Sequence, residues 1–324
     1  MSQSQQIKEI TDQLQQGIED LFESEKYKNY LKTMSRFTTY SLNNTLLIAM
    51  QKPDATAVAG YGTWKQLNRQ VVKGAKAIKI LAPCPYKKKV ETKVTDAGGN
   101  IIIGSDGKPV TEEYDKVLMG FKIANVFDLS QTEGEPLPSL TNKLDGGVNG
   151  YADFMEALKH FSPVPIEFKA VEGSANGYYH LIDKNIVVDA DMSQAMLCKT
   201  AIHEITHALL HDKDTGLEKD SHLDKRTKEV QAESVAYVVA NYYSLDTAEY
   251  SFGYIAGWSS GRDTKELKAS LDTIRQTAQT IINGVNQALD MLKQSRQLEV
   301  DVSVSREIET FPKIETAHAK GIKH

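Results

Sequence analysis

A chain of 324 residues, 40% apolar, 25% charged and with a net charge of −5, has the balance of a globular protein of two ordinary domains or one large one. Two cysteines, Cys84 and Cys198, are too few for a disulfide framework or a cysteine-rich zinc module, so a reducing cytoplasm is the expected setting. No apolar run approaches the ~18 residues of a membrane span, and the polar start "MSQSQQIKEITDQ" lacks a signal-peptide core, so no membrane partner is expected.

Along the chain, Ile7, Ile10, Leu14, Ile18 and Leu21 recur at helical spacing, and residues 6–50 read as helix up to the stop at Pro53. A short helix around Trp64 to Leu67 follows, then a turn at "KGAK" and a strand from Ala77 to Leu81. "VETKV" and "EYDKVLMGFKIANVFDLS" read as strands flanking an insert at 95–110 with two turn signals. Residues 136–150 fall in a Pro- and Gly-rich linker. The second half reads as a helix "YADFMEALKHF", strands "IEFKAV" and "YYHLIDKNIVVDA", and a helix from about Ser193 to His211. After a polar loop come helices Lys225–Ser244 and Asp263–Ser295, then an unpatterned tail.

Chemistry concentrates in "TAIHEITHALLHD". On a helix, His203 and His207 lie on one face, roughly 6 Å apart along the axis, and both can reach one tetrahedral Zn2+. Glu204 then stands beside the metal as catalytic base, able to take a proton from attacking water and return it to a leaving amine. Position 213 is Lys, which excludes the longer three-histidine pattern. "KEVQAESVAYVVA" supplies the third ligand instead: Glu229 and Glu233 sit one turn apart on an otherwise apolar helix, where unpaired carboxylates would be costly. Glu229 is taken as the ligand and Glu233 as acceptor for a histidine's other N–H, with exchange of the two roles left open. His211 reads as a residue behind a ligand or at the helix end rather than a ligand, and Tyr179, His180, Tyr237 or Tyr254 as oxyanion donors among which the sequence does not choose. "PCP" without C-x-x-C excludes a nucleobase deaminase, and the absence of G-x-S-x-G leaves no serine nucleophile.

The charge is uneven. Residues 1–130 carry 18 Lys+Arg against 14 Asp+Glu, and residues 26–89 carry 13 against the single Asp54. Aromatic residues interleave with these cations, as single-strand binders require for stacking beside phosphate contacts. Arg36, Tyr40, Asn44, Tyr61, Trp64, Lys65, Arg69, Lys73 and Lys76 are the candidate DNA-binding residues.

"YSLNNTLLI", "VAGYGTWKQLNRQVVKGAKAIKILAP" and "VFDLSQTEG" resemble the N-terminal domain of ArdC-type antirestriction proteins. "KTAIHEITHALLH" followed by "KEVQAESVAYVV" resembles the zincin-like metallopeptidase domain that follows it there, a relative of the ImmA/IrrE-type peptidases. The resemblance covers roughly residues 25–295, and both halves occur in the family's order. It implies an N-terminal domain that binds single-stranded DNA and a gluzincin site of His203, His207 and Glu229 with Glu204 as base. It also implies residence on conjugative plasmids and protection of entering DNA. The 95–110 insert and the last ~30 residues lie outside that pattern, and no role carries to them.

The expected fold is α+β in two domains: a small α+β single-stranded-DNA-binding domain over 1–135, a linker, and a mostly helical gluzincin-type metallopeptidase domain over 151–296, with a flexible tail from 297. Three functions compete: an antirestriction factor, a regulatory zinc endopeptidase that cleaves a specific protein such as a repressor, and a binding module with purely structural zinc.

Overall fold

The computed structural model describes residues 3–137, 148–173, 175–212, 214, 223–246 and 252–310. Most of the expected linker, His222 and the end of the expected tail lie outside them. The fold is α+β and divides into two compact units. One holds the described residues up to 137 together with 252–275; the other holds those from 148 to 246 and from 276 onward. By packing, residues 252–275 group with the N-terminal unit. Aromatic packing supplies the reason: Phe22 meets Trp258 at 5.6 Å and Tyr27 meets Phe252 edge-on at 5.2 Å between ring centroids.

The first unit begins with α1 (Gln3–Leu21), α2 (Ser24–Arg36) and α3 (Leu42–Gln51). The single helix expected over 6–50 is three, because the apolar stripe runs on across two breaks. The second is fixed by Ser41, whose side chain caps α3 by accepting from the Asn44 N–H. Then come β1 (Val58–Ala59), α4 (Tyr61–Gln66), β2 (Arg69–Val71), β3 (Ile78–Lys93), β4 (Thr111–Asp128) and β5 (Thr132–Gly134). β3 and β4 pair antiparallel along their length, with β1 at the foot of β4, and β2 pairs β5. At its base the β3–β4 ribbon joins a core of Phe37, Ile48, Ala55, Ile78, Ile80 and Val126. Beyond the base it extends as two strands alone, much longer than the strand expected over 77–81.

The second unit holds α5 (Val148–Phe161), β6 (Ile166–Lys169), β7 (Gly177–His180), β8 (Asn185–Asp189), α6 (Gln194–Thr206) and α7 (Lys225–Tyr242). The strand expected over 178–190 is a hairpin, turned through Lys184 at φ 50°. β8 is central, parallel to β6 and antiparallel to β7, which leaves β7 on an edge. Ile186, Val187 and Val188 of β8 are buried, as are Ala201, Ile202 and Ile205 of α6. α6 packs on α7, which is capped by Asp224 accepting from the Thr227 N–H at 2.8 Å. α8 (Ile255–Ser259) lies in the first unit; α9 (Thr264–Thr310) starts there and runs on in the second, past the end expected at Ser295. No helix among the described residues is long and apolar enough to cross a membrane.

Candidate metal centre and basic surface

α6 starts at Ser193, whose side chain caps the Met196 N–H, and carries His203 and Glu204 in its last turns. The chain then winds as a π turn, His207–His211. α7 supplies Glu229 and Glu233 from across the cleft. These residues line a cavity of about 990 Å³ together with Gly177, Tyr178 and Tyr179 of β7.

Three donor atoms converge. His203 Nε2 lies 3.1 Å from His207 Nε2, and Glu229 Oε2 lies 3.4 Å from the first and 3.7 Å from the second. A tetrahedral ion with bonds of about 2.0–2.1 Å holds its donors about 3.3–3.4 Å apart, so this triangle has the size such an ion needs. Two nitrogens and one carboxylate oxygen are also the donor chemistry that zinc accepts.

The outer ring nitrogens are engaged. His203 Nδ1 faces Glu233 Oε2 at 3.4 Å, while the other Glu233 oxygen lies 3.8 Å from Lys199 Nζ. His207 Nδ1 lies 2.9 Å from His211 Nδ1, and His211 Nε2 lies 2.9 Å from Gln231 Oε1. One tautomer set satisfies the chain: His211 donates from Nε2 to the amide oxygen and accepts at Nδ1 from His207. That leaves the lone pair of His207 Nε2 aimed at the triangle. Burial pulls the His211 pKa down to about 4, so this ring is neutral and can accept. His211 thus sits behind His207, one of the two positions the sequence allowed it.

Burial opposes charge on His203, yet bonds to Glu229 and Glu233 prevail and raise it to about 9. The same bonds from His203 and His207 hold Glu229 far below the carboxylate range. Glu204 is 7% exposed, and burial raises its pKa, although the Tyr179 backbone N–H donates to it. A carboxylate tuned upward suits proton transfer near neutral pH.

The oxyanion candidates change on inspection. The Tyr179 hydroxyl donates to the buried Asp212, which also accepts from Lys184 Nζ at 2.6 Å; burial and Asp212 push the phenol up to about 12. His180 Nδ1 accepts from the Asp183 N–H at 3.2 Å in the hairpin turn, and Tyr237 is buried. Tyr254 belongs to the other unit.

Several DNA candidates are structural. Trp64 is 2% exposed and its Nε1–H donates to the Phe127 carbonyl at 2.9 Å, so no base can stack on it. Asn44 bonds both the N–H and the C=O of Leu81 at 2.9 Å. Arg69 clasps Thr132 Oγ1 and O at 2.8 and 2.9 Å and Tyr40 donates to Val58 O at 3.2 Å, while Arg36 donates one bond to Ala55 O at 2.9 Å and stays exposed. Tyr61, 55% exposed, with exposed Lys65, Lys73 and Lys76, remains on the surface.

Comparison with known proteins reaches both units. Residues 3–127 match the family described as the N-terminal domain of anti-restriction factor ArdC, and residues 163–258 match the IrrE N-terminal-like domain. An uncharacterized protein of Bacillus anthracis, pXO2-81, is 28% identical over 324 residues, covering 90% of this chain and 53% of the relative. The chain therefore spans about half that relative's length. The metal-free crystal structure of antirestriction protein ArdC from plasmid R388 is 18% identical, with 76% of this chain and 86% of that one covered and a TM-score of 0.47. Its Mn(II)-bound form gives 77% and 85% at 18% identity with a TM-score of 0.44.

Proposed function

This chain joins an ArdC-type N-terminal domain to an IrrE-like domain, and we propose that it is a mobile-element antirestriction protein that binds single-stranded DNA and carries a zinc peptidase site. The observation that carries the catalytic half is the donor triangle of His203, His207 and Glu229, with edges of 3.1, 3.4 and 3.7 Å, beside the buried Glu204. Zinc held there would act as a Lewis acid on a substrate carbonyl and on water. Glu204 takes the water proton and later delivers it to the leaving amine. β7, an edge strand lining the same cleft, offers a backbone ladder for an extended peptide. His211 and Glu233 hold the two ligand rings through their Nδ1 atoms. For DNA, Tyr61, Lys65, Lys73 and Lys76 form the surface that support from the sequence leaves in place.

A plasmid-transfer assay into a restricting host tests the reading, paired with metal analysis and single-stranded-oligonucleotide binding across salt. Wild type raises transfer and carries about one zinc. Loss of both DNA binding and protection would refute it. Glu204→Gln separates the variants of the reading: zinc retained with protection intact removes proteolysis from the function. Zinc retained with protection lost favours a regulatory endopeptidase. A purely structural zinc is disfavoured by the accessibility of the centre, where the Glu229 side chain is 47% exposed.

A further inference from the structure

Resting on the single-stranded-DNA reading, we propose a second nucleic-acid contact on the β3–β4 ribbon, on the face formed by Tyr86, Lys88, Tyr114, Lys116 and Lys122. Register separates the two faces of this ribbon. Side chains alternate, so these five share a face with Ile78, Ile80 and Val126, which enter the core at the ribbon's base.

On the opposite face, which also carries Lys79, Glu91 and Lys93, two lysines are paired with carboxylates. There Lys87 lies 3.6 Å from Asp115 and Lys89 lies 3.1 Å from Glu113, beside exposed Val117, Met119 and Phe121. The proposed face carries Lys88, Lys116 and Lys122 against one carboxylate, Glu112 at its far end. Lys88 stands directly across from Lys116, and neither these two nor Lys122 has a carboxylate partner among the described residues. Like charges directly opposed on a sheet destabilise it, so a polyanion relieves what the protein alone does not.

Tyr86 adds a stacking surface. A Cβ at Gly120 would lie 3.1 Å from Tyr86 Cε1 and 3.3 Å from Cδ1, so the ring lies close over the bare glycine backbone. It is nevertheless 50% exposed, and Tyr114 is 46% exposed further along the same face. A ring backed by glycine on one side and open on the other, flanked by unpaired lysines, is how single-strand binders take a base and its phosphates. From Lys116 to Lys122 the strand spans roughly 20 Å, enough for several nucleotides. Single strands fit better than duplex, since stacking needs a free base face.

The test uses the full-length protein, a fluorescent oligothymidine and a duplex of the same length, each titrated across salt. Lys88→Gln with Lys116→Gln and Lys122→Gln should lower the slope of log Kd against log salt by about 2, at roughly 0.7 per lost phosphate contact. Tyr86→Ala should weaken single-strand binding at least ~5-fold, and Tyr86→Phe should restore it. Lys87→Gln with Lys89→Gln, on the other face, should leave the slope within experimental error. Wild-type binding that none of the ribbon changes alters would overturn this inference and leave the DNA-binding reading standing. No binding by wild type would overturn both. Equal loss from the two lysine sets would overturn the face assignment, because net charge alone would then explain it.

Discussion

Gln231→Leu is the sharpest probe of how the metal centre is held. Gln231 is 1% exposed, and its Oε1 sits 2.9 Å from His211 Nε2. The leucine keeps most of the volume but cannot accept a hydrogen bond. His211 is then no longer fixed as the Nε2–H tautomer, and a ring carrying its proton on Nδ1 would face His207 Nδ1 with a donor rather than an acceptor. His207 must then place its own proton on Nε2, the atom aimed at the triangle, and cease to be a ligand. Loss of such an outer partner costs about 10- to 100-fold in metal affinity, or roughly 1.4–2.7 kcal/mol. Chelator competition gives the zinc Kd directly, thermal melting checks that the fold persists, and ¹⁵N shifts of the histidine rings report the tautomer of His207. Unchanged affinity with an intact fold would refute the relay from Gln231 through His211 to His207.

Zinc binding should release a proton below about pH 9, because the metal displaces the one that Glu229 and Glu233 keep on His203; calorimetry in buffers of different ionisation enthalpy counts it. The sign for stability follows from the same shift. The His203 pKa lies above its ordinary 6.5, so its contribution to the metal-free protein is complete below that pH and is lost as pH rises toward 9, which melting across pH 6 to 10 will show. Glu204→Gln should abolish peptide hydrolysis while zinc, measured by metal analysis, stays bound. Trp64→Ala should destabilise its unit by about 3–5 kcal/mol, so denaturant melts of that variant, rather than oligonucleotide affinity alone, reveal its role.

The meeting of His203, His207 and Glu229 was legible where chemistry and helical spacing act locally. His203 and His207 are one turn apart, and two glutamates on an otherwise apolar helix demanded a partner for their charge. What the sequence hid depends on backbone departures that no spacing announces. The helix after His207 winds as a π turn, and a left-handed residue at Lys184 folds one expected strand into the hairpin whose edge lines the cleft. In the N-terminal unit the difficulty is different. Arg, Asn and Trp are suited to nucleic acid by the same donors that suit them to backbone carbonyls, and Arg36, Asn44, Trp64 and Arg69 use those donors on Ala55, Leu81, Phe127 and Thr132. Composition counts such residues as binding capacity; only a tertiary partner shows which are already used. Lysine is less ambiguous, since its long stem and hydrated charge rarely serve as a buried clasp. The cations that stay outward in this unit are mostly lysines, with Arg36 beside them, so its basic surface is built largely from point charges and rings. That composition favours contact with a phosphate chain and stacking over base-specific readout.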